Sequence, residues 1–357
     1  MTVLITGGPG FIGQYLARHL GDAGHEVAAL DLLHPQVHAD PEGAKDAFPG
    51  AVVTGDVADA SAWHETSVAV PGISAIVHLA AETGTGQSMY EVDRYHRVNV
   101  DGTRRAAEFA VRHEVPLLVM SSRAVYGEGR YECPDHRPTF GHPCCDRATP
   151  APSREDDPHH PVSVYGETKS LAESVAAAVC GTRVPLTIVR PQNVIGPGQS
   201  LHNPYTGVLA AFLAMLREDR PLSVYGDGHQ TRDFVHVDDV AALLAHAVDH
   251  PPAPGEPLVL NSGTGTRTSL VELAGLAADA SPLTSRGVVH VEVHRAGDIE
   301  HACADLRRLD AVRAPTPAHS TAEAVRDFVR ASWDRPGVPA SAWDDALGEL
   351  ADRGLTS

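Results

Sequence analysis

Short apolar runs alternate with segments of helical periodicity along the first third of the chain. The pattern predicts strands over Val3–Thr6, Glu26–Asp31, Ala51–Val53, Ala75–Leu79 and Leu117–Ser121. Apolar residues at helical spacing predict helices over Phe11–Asp22 and Tyr95–Glu114, and later apolar runs predict strands over Thr187–Arg190 and Pro257–Leu260. Apolar strands separated by helices are typical of a parallel sheet covered on both faces. We therefore expect an α/β fold with a doubly wound parallel sheet.

The pattern changes after the fifth predicted strand. Gly127–Pro161 is rich in Pro, His, Cys and Arg and has no periodicity, which predicts a long surface loop. Many Gly, Pro and Asn residues after Arg190 predict a smaller C-terminal lobe that binds substrate. The predicted division assigns 1–190 and 231–260 to the sheet domain, 191–230 and 261–330 to the lobe, and 331–357 to a tail.

The net charge of the chain indicates which kinds of partner to expect. The chain carries 28 Lys and Arg residues against 46 Asp and Glu residues, a formal net charge of −18. This excess of negative charge repels nucleic acid and anionic membranes, so we expect neither as a partner. A small anionic ligand is compatible with it, because a few arginines inside a cleft act locally.

Targeting signals and cysteine content bear on location. No apolar run reaches membrane-spanning length, and the N-terminus lacks the basic and apolar segments of a signal peptide. Five cysteines in 357 residues do not suggest a disulfide framework. We expect a cytoplasmic protein.

A glycine-rich segment, Thr6-Gly7-Gly8-Pro9-Gly10-Phe11-Ile12-Gly13, links the first predicted strand to the first predicted helix. Glycines there permit a tight turn and a close approach of backbone to a pyrophosphate, which the helix N-terminus attracts. Asp31 ends the second strand, where a carboxylate would bind ribose hydroxyls and repel a 2′-phosphate. The segment thus indicates NAD binding rather than NADP, with a plain tight turn as the alternative.

Asp56 and Val57 follow the third predicted strand. At this position a side chain can meet the adenine edge of a dinucleotide. An aspartate that simply caps the next helix is an equally good interpretation of the position.

Candidate catalytic groups occur at two places. Tyr165 and Lys169 are four residues apart on a predicted helix, so both project from one face. An ammonium near a phenol lowers the phenol pKa towards the working range of a base. Ser122 lies just past the fifth strand, at the edge where open α/β sheets bind ligands. The alternatives are a chance pair on a surface helix and a serine that caps a helix.

These motifs together resemble an extended short-chain dehydrogenase/reductase of the NAD-dependent epimerase/dehydratase family, from the N-terminus to about residue 330. The segments 78–81, 99–103 and 232–239 add to the resemblance. It implies a Rossmann-type sheet domain and a catalytic role for Ser122, Tyr165 and Lys169. It implies that NAD contacts Gly7, Gly10, Phe11, Ile12, Gly13, Asp31, Asp56, Val57, Leu79, Ala80, Ala81, Asn99, Tyr165 and Lys169. It implies that a nucleotide-diphosphate sugar contacts Glu82, Thr83, Ser122, Arg123, Asn193, Arg232, Arg295 and Asp298.

Within the family, the segments 81–90, 122–129, 192–200 and 203–207 are similar to sequences of the dTDP-L-rhamnose 4-epimerase type. This likeness implies epimerisation at C4 of a dTDP-6-deoxyhexose through a transient 4-ketone. Dehydratases of the family carry an acidic pair directly after the hydroxyl residue, where this chain has Arg123 and Ala124. The alternatives are a 4-ketoreductase or dehydrogenase, a UDP-hexose 4-epimerase, and a non-catalytic NAD-binding protein.

Two further expectations concern metal and assembly. Cys133, His136, His142, Cys144 and Cys145 offer zinc ligands, but the adjacent pair Cys144-Cys145 is awkward for one tetrahedral ion, so we expect no metal and a reduced loop. The resemblance also implies a homodimer, in which two helices of each copy, Tyr95–Glu114 and Val162–Val179, would pair across a two-fold axis as a four-helix bundle.

Overall fold

A parallel sheet forms the centre of the computed structural model, which describes residues 1–203, 207–293 and 297–356. Its seven strands lie in the spatial order Leu258–Ser262, Leu186–Pro191, Leu117–Met120, Ile73–His78, Thr2–Thr6, Glu26–Asp31 and Ala51–Thr54. All neighbouring strands in this sheet run parallel. The chain therefore winds outward in both directions from its first strand, as in a Rossmann-type sheet, and the predicted fold class is confirmed.

Helices cover both faces of the sheet. On one face Phe11–Asp22 and Val237–Asp249 bury Leu16, Leu20 and Leu244 completely. On the other face lie Ala60–Ala69, Gly102–His113 and Val164–Cys180, whose buried side chains include Trp63, Ala106, Ala110 and Ala176. Burial on both sides explains why the strands are rich in Val, Ile and Leu instead of alternating with polar residues.

The remaining helices connect these layers and build the C-terminal lobe. Their bounds are Pro41–Ala47, Thr85–Ser88, Val92–Tyr95, Val208–Arg217, Leu270–Ala280, Arg307–Val312, Thr321–Ser332 and Ser341–Asp352. Two of them begin with capping boxes, in which Ser269 pairs with Glu272 and Ser320 with Glu323.

The segment predicted as one helix over Tyr95–Glu114 is divided in the structure. A π-helical turn spans His96–Asp101, and a regular α-helix follows over Gly102–His113. Such turns arise where an extra residue is accommodated within a helix, which periodicity alone does not reveal. The turn contains Asn99, whose side chain is 1% exposed.

The long surface loop predicted over Gly127–Pro161 contains three short strands that the prediction lacked. Arg130–Glu132 forms the central strand of a small antiparallel sheet, flanked by Thr139–Phe140 and Thr149–Ala151. Strands of two or three residues are too short to show an alternating pattern, so no periodicity in the sequence indicates them. We call residues 130–151 the small sheet.

A separate core lies in the C-terminal lobe, where Leu213, Phe212, Leu273 and Phe328 are buried together. Three strand pairs border it, namely Asn193–Ile195 with Phe234–His236, Leu222–Tyr225 with Val288–Val291, and Thr231–Arg232 with Thr268–Ser269. Trp343, from the segment predicted as a tail, also packs into this core. The division into domains by residue number stays a prediction.

A helix that crosses a membrane must be both long and apolar. Among the described residues, none of the helices is long and apolar enough to cross a bilayer.

Candidate active site

The candidate site residues collect at the carboxyl edge of the central sheet. The glycine loop follows the strand Thr2–Thr6, and Ser122 follows the strand Leu117–Met120. Tyr165 and Lys169 lie in the first turns of the helix Val164–Cys180, which we call the Tyr165 helix. Ligands bind at this edge in open α/β sheets, because loops from neighbouring strands meet there.

The glycine loop is held by contacts that leave no space for side chains. Gly7 has φ +72°, and a Cβ there would lie 2.9 Å from the amide nitrogen of Ala80. A Cβ on Gly13 would lie 2.3 Å from the carbonyl oxygen of Gly8. Among the described residues, no side chain caps the helix N-terminus at Gly10, and its first turn carries no acidic residue. The positive end of this helix, beginning with Phe11 and Ile12, is therefore available to an anion.

Asp31 lies at the end of the second strand and is 8% exposed. Its Oδ1 accepts a hydrogen bond of 2.7 Å from the amide of Leu33 and lies 3.7 Å from Nε2 of His38. The sequence analysis did not identify His38. This carboxylate is thus fixed in place at the edge of the sheet, in the position predicted to meet a ribose.

Asp56 has structural partners that bear on both interpretations of its position. Its Oδ1 accepts a hydrogen bond from the amide of Ala58 at 2.8 Å, and its Oδ2 pairs with Arg97 at 2.6 Å. Val57 is buried, and its carbonyl oxygen accepts a hydrogen bond from the Trp63 indole at 2.8 Å. Asp56 therefore stabilises the turn before the helix Ala60–Ala69, and its proposed contact with adenine stays a prediction.

Hydrogen bonds tie the fourth strand to the first beneath the glycine loop. The Thr6 hydroxyl lies 2.8 Å from Nδ1 of His78 and accepts a hydrogen bond from the amide of Ala80 at 3.2 Å. The amide of Leu79 donates to the Thr6 carbonyl at 3.1 Å. Burial and the charge of Lys169 lower the pKa of His78 to about 3, so its ring is neutral. These bonds fix the backbone that leads from Leu79 to Ala81.

A hydrogen bond from the Ser122 hydroxyl is one of the influences on the pKa of the Tyr165 phenol, so the two groups lie close together. Ser122 also caps a short 3-10 helix, Arg123–Tyr126, because its Oγ accepts a hydrogen bond from the amide of Ala124 at 3.2 Å. The serine thus has both its predicted position beside the tyrosine and the capping role of the alternative. Since the amide occupies one lone pair, the hydroxyl proton can be donated towards Tyr165.

The protonation of Tyr165 depends on its surroundings. Burial raises the pKa of Tyr165 above its usual range, while the hydrogen bond from Ser122 and the charge of Arg123 lower it. The spacing of Tyr165 and Lys169 had predicted that the Lys169 ammonium lowers the pKa of Tyr165. In the structure, Nζ of Lys169 instead donates to the Met120 carbonyl at 2.7 Å. Burial lowers the pKa of Lys169 to about 8, and the Glu173 carboxylate opposes that shift.

Two arginines form the anion-attracting part of the site. Burial and the nearby charge of Arg232 lower the pKa of Arg123 to about 10. Arg232 donates to the carbonyl oxygens of Thr231 at 2.9 Å and Glu300 at 3.3 Å. Arg123 and Arg232 bring two positive charges close together, and Arg123 also lies near Tyr165. That these charges bind a phosphate-bearing ligand stays a prediction.

Of three other residues predicted to contact the substrate, two are exposed and one lies outside the described residues. Asn193 and Asp298 are exposed at the edge of the lobe. The amide of Asn193 donates to the Asp233 carbonyl at 3.0 Å, which fixes its backbone next to Arg232. Arg295 lies outside the described residues, as do Pro204, Tyr205 and Thr206 of the segment 203–207.

Glu82 and Thr83 are held by neighbours that sequence reasoning did not connect with them. Glu82 pairs with Arg94 at 2.8 Å, and Thr83 offers its carbonyl oxygen to the Tyr95 hydroxyl at 2.5 Å. Asn99 accepts from the Glu82 amide at 2.8 Å and donates to the Glu82 carbonyl at 3.1 Å. Its Nδ2 also lies 3.1 Å from the Thr168 hydroxyl. Asn99 therefore joins the segment after the fourth strand to the Tyr165 helix.

Comparison with known proteins decides which family this geometry represents. A family model described as the NAD dependent epimerase/dehydratase family matches residues 3–263. The chain belongs to the NAD-dependent epimerase/dehydratase family.

Relatives in the family match this chain over most of its length. It is 40% identical over 326 residues to dTDP-L-rhamnose 4-epimerase of Burkholderia thailandensis, covering 85% of this chain and 87% of the relative. It is 31% identical to UDP-glucose 4-epimerase of Mycolicibacterium smegmatis, covering 92% and 97%. The solved structure of MoeE5 in complex with UDP-glucuronic acid and NAD superposes with a TM-score of 0.74 at 29% identity, covering 93% and 99%.

The glycine loop fits the NAD on which this epimerase/dehydratase family depends. At Gly7, Gly10 and Gly13 the close contacts are made with backbone atoms, and the uncapped N-terminus of the helix Phe11–Asp22 faces the same edge of the sheet. A pyrophosphate needs such close approach to backbone amides, and the buried carboxylate of Asp31 suits a ribose diol. The predicted cofactor is thus consistent with the local chemistry as well as with the family.

A buried ionic network below the site was not found by sequence reasoning. Glu173 binds Arg190 through both carboxylate oxygens, at 2.9 and 2.7 Å, and also accepts a short hydrogen bond from Ser121. Arg190 further donates to the Tyr126 hydroxyl at 2.8 Å. Glu173 lies one helical turn beyond Lys169, and Arg190 lies in the strand Leu186–Pro191. Ser121 directly follows the strand Leu117–Met120 that precedes Ser122. In this member of the family they fix the Tyr165 helix against the sheet.

Proposed function

We propose that the protein is an NAD-dependent nucleotide-sugar 4-epimerase whose substrate is a dTDP-6-deoxyhexose, with dTDP-L-rhamnose as the leading candidate. The observation that carries this proposal is the pairing of Tyr165 with Ser122 at the sheet edge. The glycine loop lies at the same sheet edge, and the charges of Arg123 and Arg232 lie close to each other, with Arg123 near Tyr165. We infer that Tyr165 acts on a substrate held between NAD at the glycine loop and phosphates at these arginines.

Tyr165 is the proposed acid and base. As a phenolate it takes the proton of the sugar 4-hydroxyl, and as a phenol it returns that proton when the alcohol forms again. Ser122 donates its hydroxyl proton to whichever oxygen carries negative charge, because the amide of Ala124 already occupies its acceptor side. Arg123 adds a positive charge close to Tyr165 that favours the phenolate.

Bound NAD would supply the hydride acceptor and donor for C4, and its oxidised nicotinamide would add a positive charge that favours the tyrosine phenolate. Lys169 contributes from the protein side. Its ammonium is 6% exposed and fixed on the Met120 carbonyl, next to the loop that carries Ser122. From this position we expect it to hold the nicotinamide ribose.

Epimerisation requires that the hexose turn over while the nucleotide stays bound. Arg232 and Arg123 supply forked donors that suit a diphosphate, and Asn193 lies on the same side. Concentrating the binding energy on the diphosphate leaves the sugar ring free to present either face to Tyr165.

The choice of substrate is supported by the relative from Burkholderia thailandensis, a dTDP-L-rhamnose 4-epimerase with 40% identity. The residues after Ser122 support an epimerase over a dehydratase. Arg123 and Ala124 provide no carboxylic acid at the positions where elimination of water would need an acid and a base.

The proposal is tested by incubating the purified protein with dTDP-L-rhamnose and no added reductant. Proton NMR of the C4 region should show a second epimer approaching a stable ratio, without net formation of NADH. A parallel incubation with UDP-glucose should convert more slowly. Unchanged dTDP-L-rhamnose in the presence of protein-bound NAD would contradict the substrate, and net NADH formation would indicate a dehydrogenase instead.

We also propose a homodimer in the cytoplasm. The exposed residues Glu167, Leu171, Ser174 and Ala178 follow one stripe of the Tyr165 helix, and Leu171 is 39% exposed. The small side chains of Ser174 and Ala178 permit close approach of a second copy across a two-fold axis, and Leu171 offers apolar surface to bury there. All five cysteines are free, as is typical of a reducing compartment. Light scattering should give twice the chain mass, and Leu171→Arg should give monomers.

A further inference from the structure

Three cysteines and one histidine converge at the end of the small sheet, away from the residues assigned to NAD and sugar. Cys133 directly follows the strand Arg130–Glu132, and His136 lies three residues later. Cys144 and Cys145 lie between the strands Thr139–Phe140 and Thr149–Ala151. Their four ligand atoms all lie within 4.8 Å of one another.

Four of the six separations between these atoms are close to the edges of one coordination tetrahedron. Sγ of Cys133 lies 3.3 Å from Nδ1 of His136 and 3.6 Å from Sγ of Cys145. Sγ of Cys144 lies 3.6 Å from the same Nδ1 and 3.9 Å from Sγ of Cys145. Zinc bonds of about 2.3 Å to sulfur and 2.0–2.1 Å to nitrogen place tetrahedral ligands about 3.5–3.8 Å apart, within about 0.3 Å of these four separations.

We propose that Cys133, His136, Cys144 and Cys145 form a structural zinc site. The three thiolates and the neutral imidazole would bind Zn²⁺ through Sγ and Nδ1, and each thiol would release its proton to solvent on binding. Four protein ligands complete the tetrahedron and leave no open position for water, so the ion would have a structural role and no catalytic one.

Neither a disulfide nor simple packing explains the cluster as well. All three thiols are free, and even the 3.6 Å between Cys133 and Cys145 is far longer than a disulfide bond of about 2.05 Å. His136 and Cys144 are exposed, so burial of apolar surface does not draw them together. Small elements with little core of their own are commonly stabilised by a metal.

Because Cys144 and Cys145 are adjacent in the sequence, we expected no metal site there. In the structure their sulfur atoms lie 3.9 Å apart, close to a tetrahedral edge, so adjacency does not prevent both from binding one ion. His142, the other histidine of the segment, is not part of the cluster. It is exposed, and its carbonyl oxygen accepts a hydrogen bond from the Thr139 hydroxyl at 2.7 Å.

The position of the site suggests what the ion would stabilise. The small sheet continues directly from Glu128, whose carboxylate accepts hydrogen bonds from the amides of Glu300 at 2.8 Å and His301 at 3.0 Å. Glu128 also lies near Arg123. A metal that fixes the far end of the small sheet would therefore stiffen the segment that connects Ser122 with the lobe.

The test measures metal in the full chain, purified without chelators or an affinity step that uses metal. Elemental analysis should find about one zinc per chain, and reconstitution with Co²⁺ should give the intense visible bands of a tetrahedral thiolate site. His136→Asn and Cys145→Ser should each lower the zinc content several-fold. His142→Asn is the matched control and should retain zinc.

A second measurement keeps the proposal testable if a variant folds poorly. In the native holoenzyme, proteolysis within 133–147 should be about tenfold faster after chelation, and added Zn²⁺ should restore protection. Zinc content well below one per chain that His136→Asn leaves unchanged would overturn the proposal. So would a disulfide among Cys133, Cys144 and Cys145, iron in place of zinc, or Co²⁺ spectra without thiolate ligation.

Discussion

The two halves of the active site are built in different ways. The cofactor half consists of strand ends and glycine turns, where Gly7 and Gly13 contact backbone and Asp31 is buried. The sugar half consists of side chains at a more open edge, where Asn193 is exposed and Arg232 binds carbonyl oxygens of its own chain. A rigid, pre-formed half suits a cofactor that stays bound through every cycle. A half whose donors can change partners suits a substrate that must enter, turn over and leave.

The largest effect should come from the group between the two halves. Tyr165→Phe removes the proton acceptor and donor while keeping the aromatic ring, which packs at 6.4 Å between ring centroids against Tyr95. We expect kcat to fall about 10²- to 10⁴-fold with bound NAD retained. Steady-state kinetics together with the NAD content of the purified variant check this. A variant that keeps a tenth of the activity would contradict the role of Tyr165.

A substitution at Gly13 tests whether the cofactor half is rigid. Gly13→Ala places a methyl group 2.3 Å from the Gly8 carbonyl oxygen, so the loop must move and the purified protein should lose most of its NAD. Gly21→Ala is the matched control on the same helix, because a Cβ there meets nothing within 4 Å. That control should keep NAD and gain about 0.5–1 kcal/mol of unfolding free energy. Equal NAD content in both variants would contradict a tight cradle.

Because the sugar half is more open than the cofactor half, we expect a substitution there to have a smaller effect, on substrate binding and not on NAD. Arg232→Ala removes the proposed diphosphate donor and leaves Tyr165 unchanged, so we expect KM for the nucleotide sugar to rise about tenfold with kcat within a few-fold. Bound NAD should be unaffected. If kcat fell while KM stayed constant, Arg232 would act on the reacting sugar and not on the diphosphate.

The smallest effect concerns pH. Burial lowers the pKa of Lys169 to about 8, so its ammonium is charged at neutral pH and loses its proton as the pH rises through 8. If that charge supports catalysis, log kcat/KM should bend downward above pH 8 by a few-fold. Lys169→Arg, whose charge persists, should show no such bend over the same range. A profile that rises steadily to pH 9.5 in the wild-type protein would contradict this role.

Local signals in the sequence predicted the bounds of the elements around the glycine loop well. The helix Phe11–Asp22 and the strand Glu26–Asp31 have the predicted bounds, because a glycine turn and short-range periodicity determine both. Features that depend on distant partners were not predictable. The pair Glu173–Arg190 joins a helix to a strand across the core, and nothing in the spacing of the two residues indicates it.

The same distinction applies to the groups around Tyr165. The four-residue spacing correctly placed Lys169 on the Tyr165 helix but not its hydrogen bond to the Met120 carbonyl. Arg123 instead supplies a charge that lowers the pKa of Tyr165, because the short helix after Ser122 brings the guanidinium close. Spacing alone likewise failed for Cys144 and Cys145, whose sulfur positions depend on the turns of the small sheet.

In the proposed mechanism, C4 is oxidised and reduced again by one bound cofactor while Tyr165 moves the proton. The decisive experiment uses dTDP-L-rhamnose carrying deuterium at C4, incubated with the enzyme in ordinary water and followed by NMR and mass spectrometry. We expect a C4 epimer that keeps its deuterium at C4, because the hydride returns from the bound cofactor. Replacement of that deuterium by solvent protium during epimerisation would contradict it.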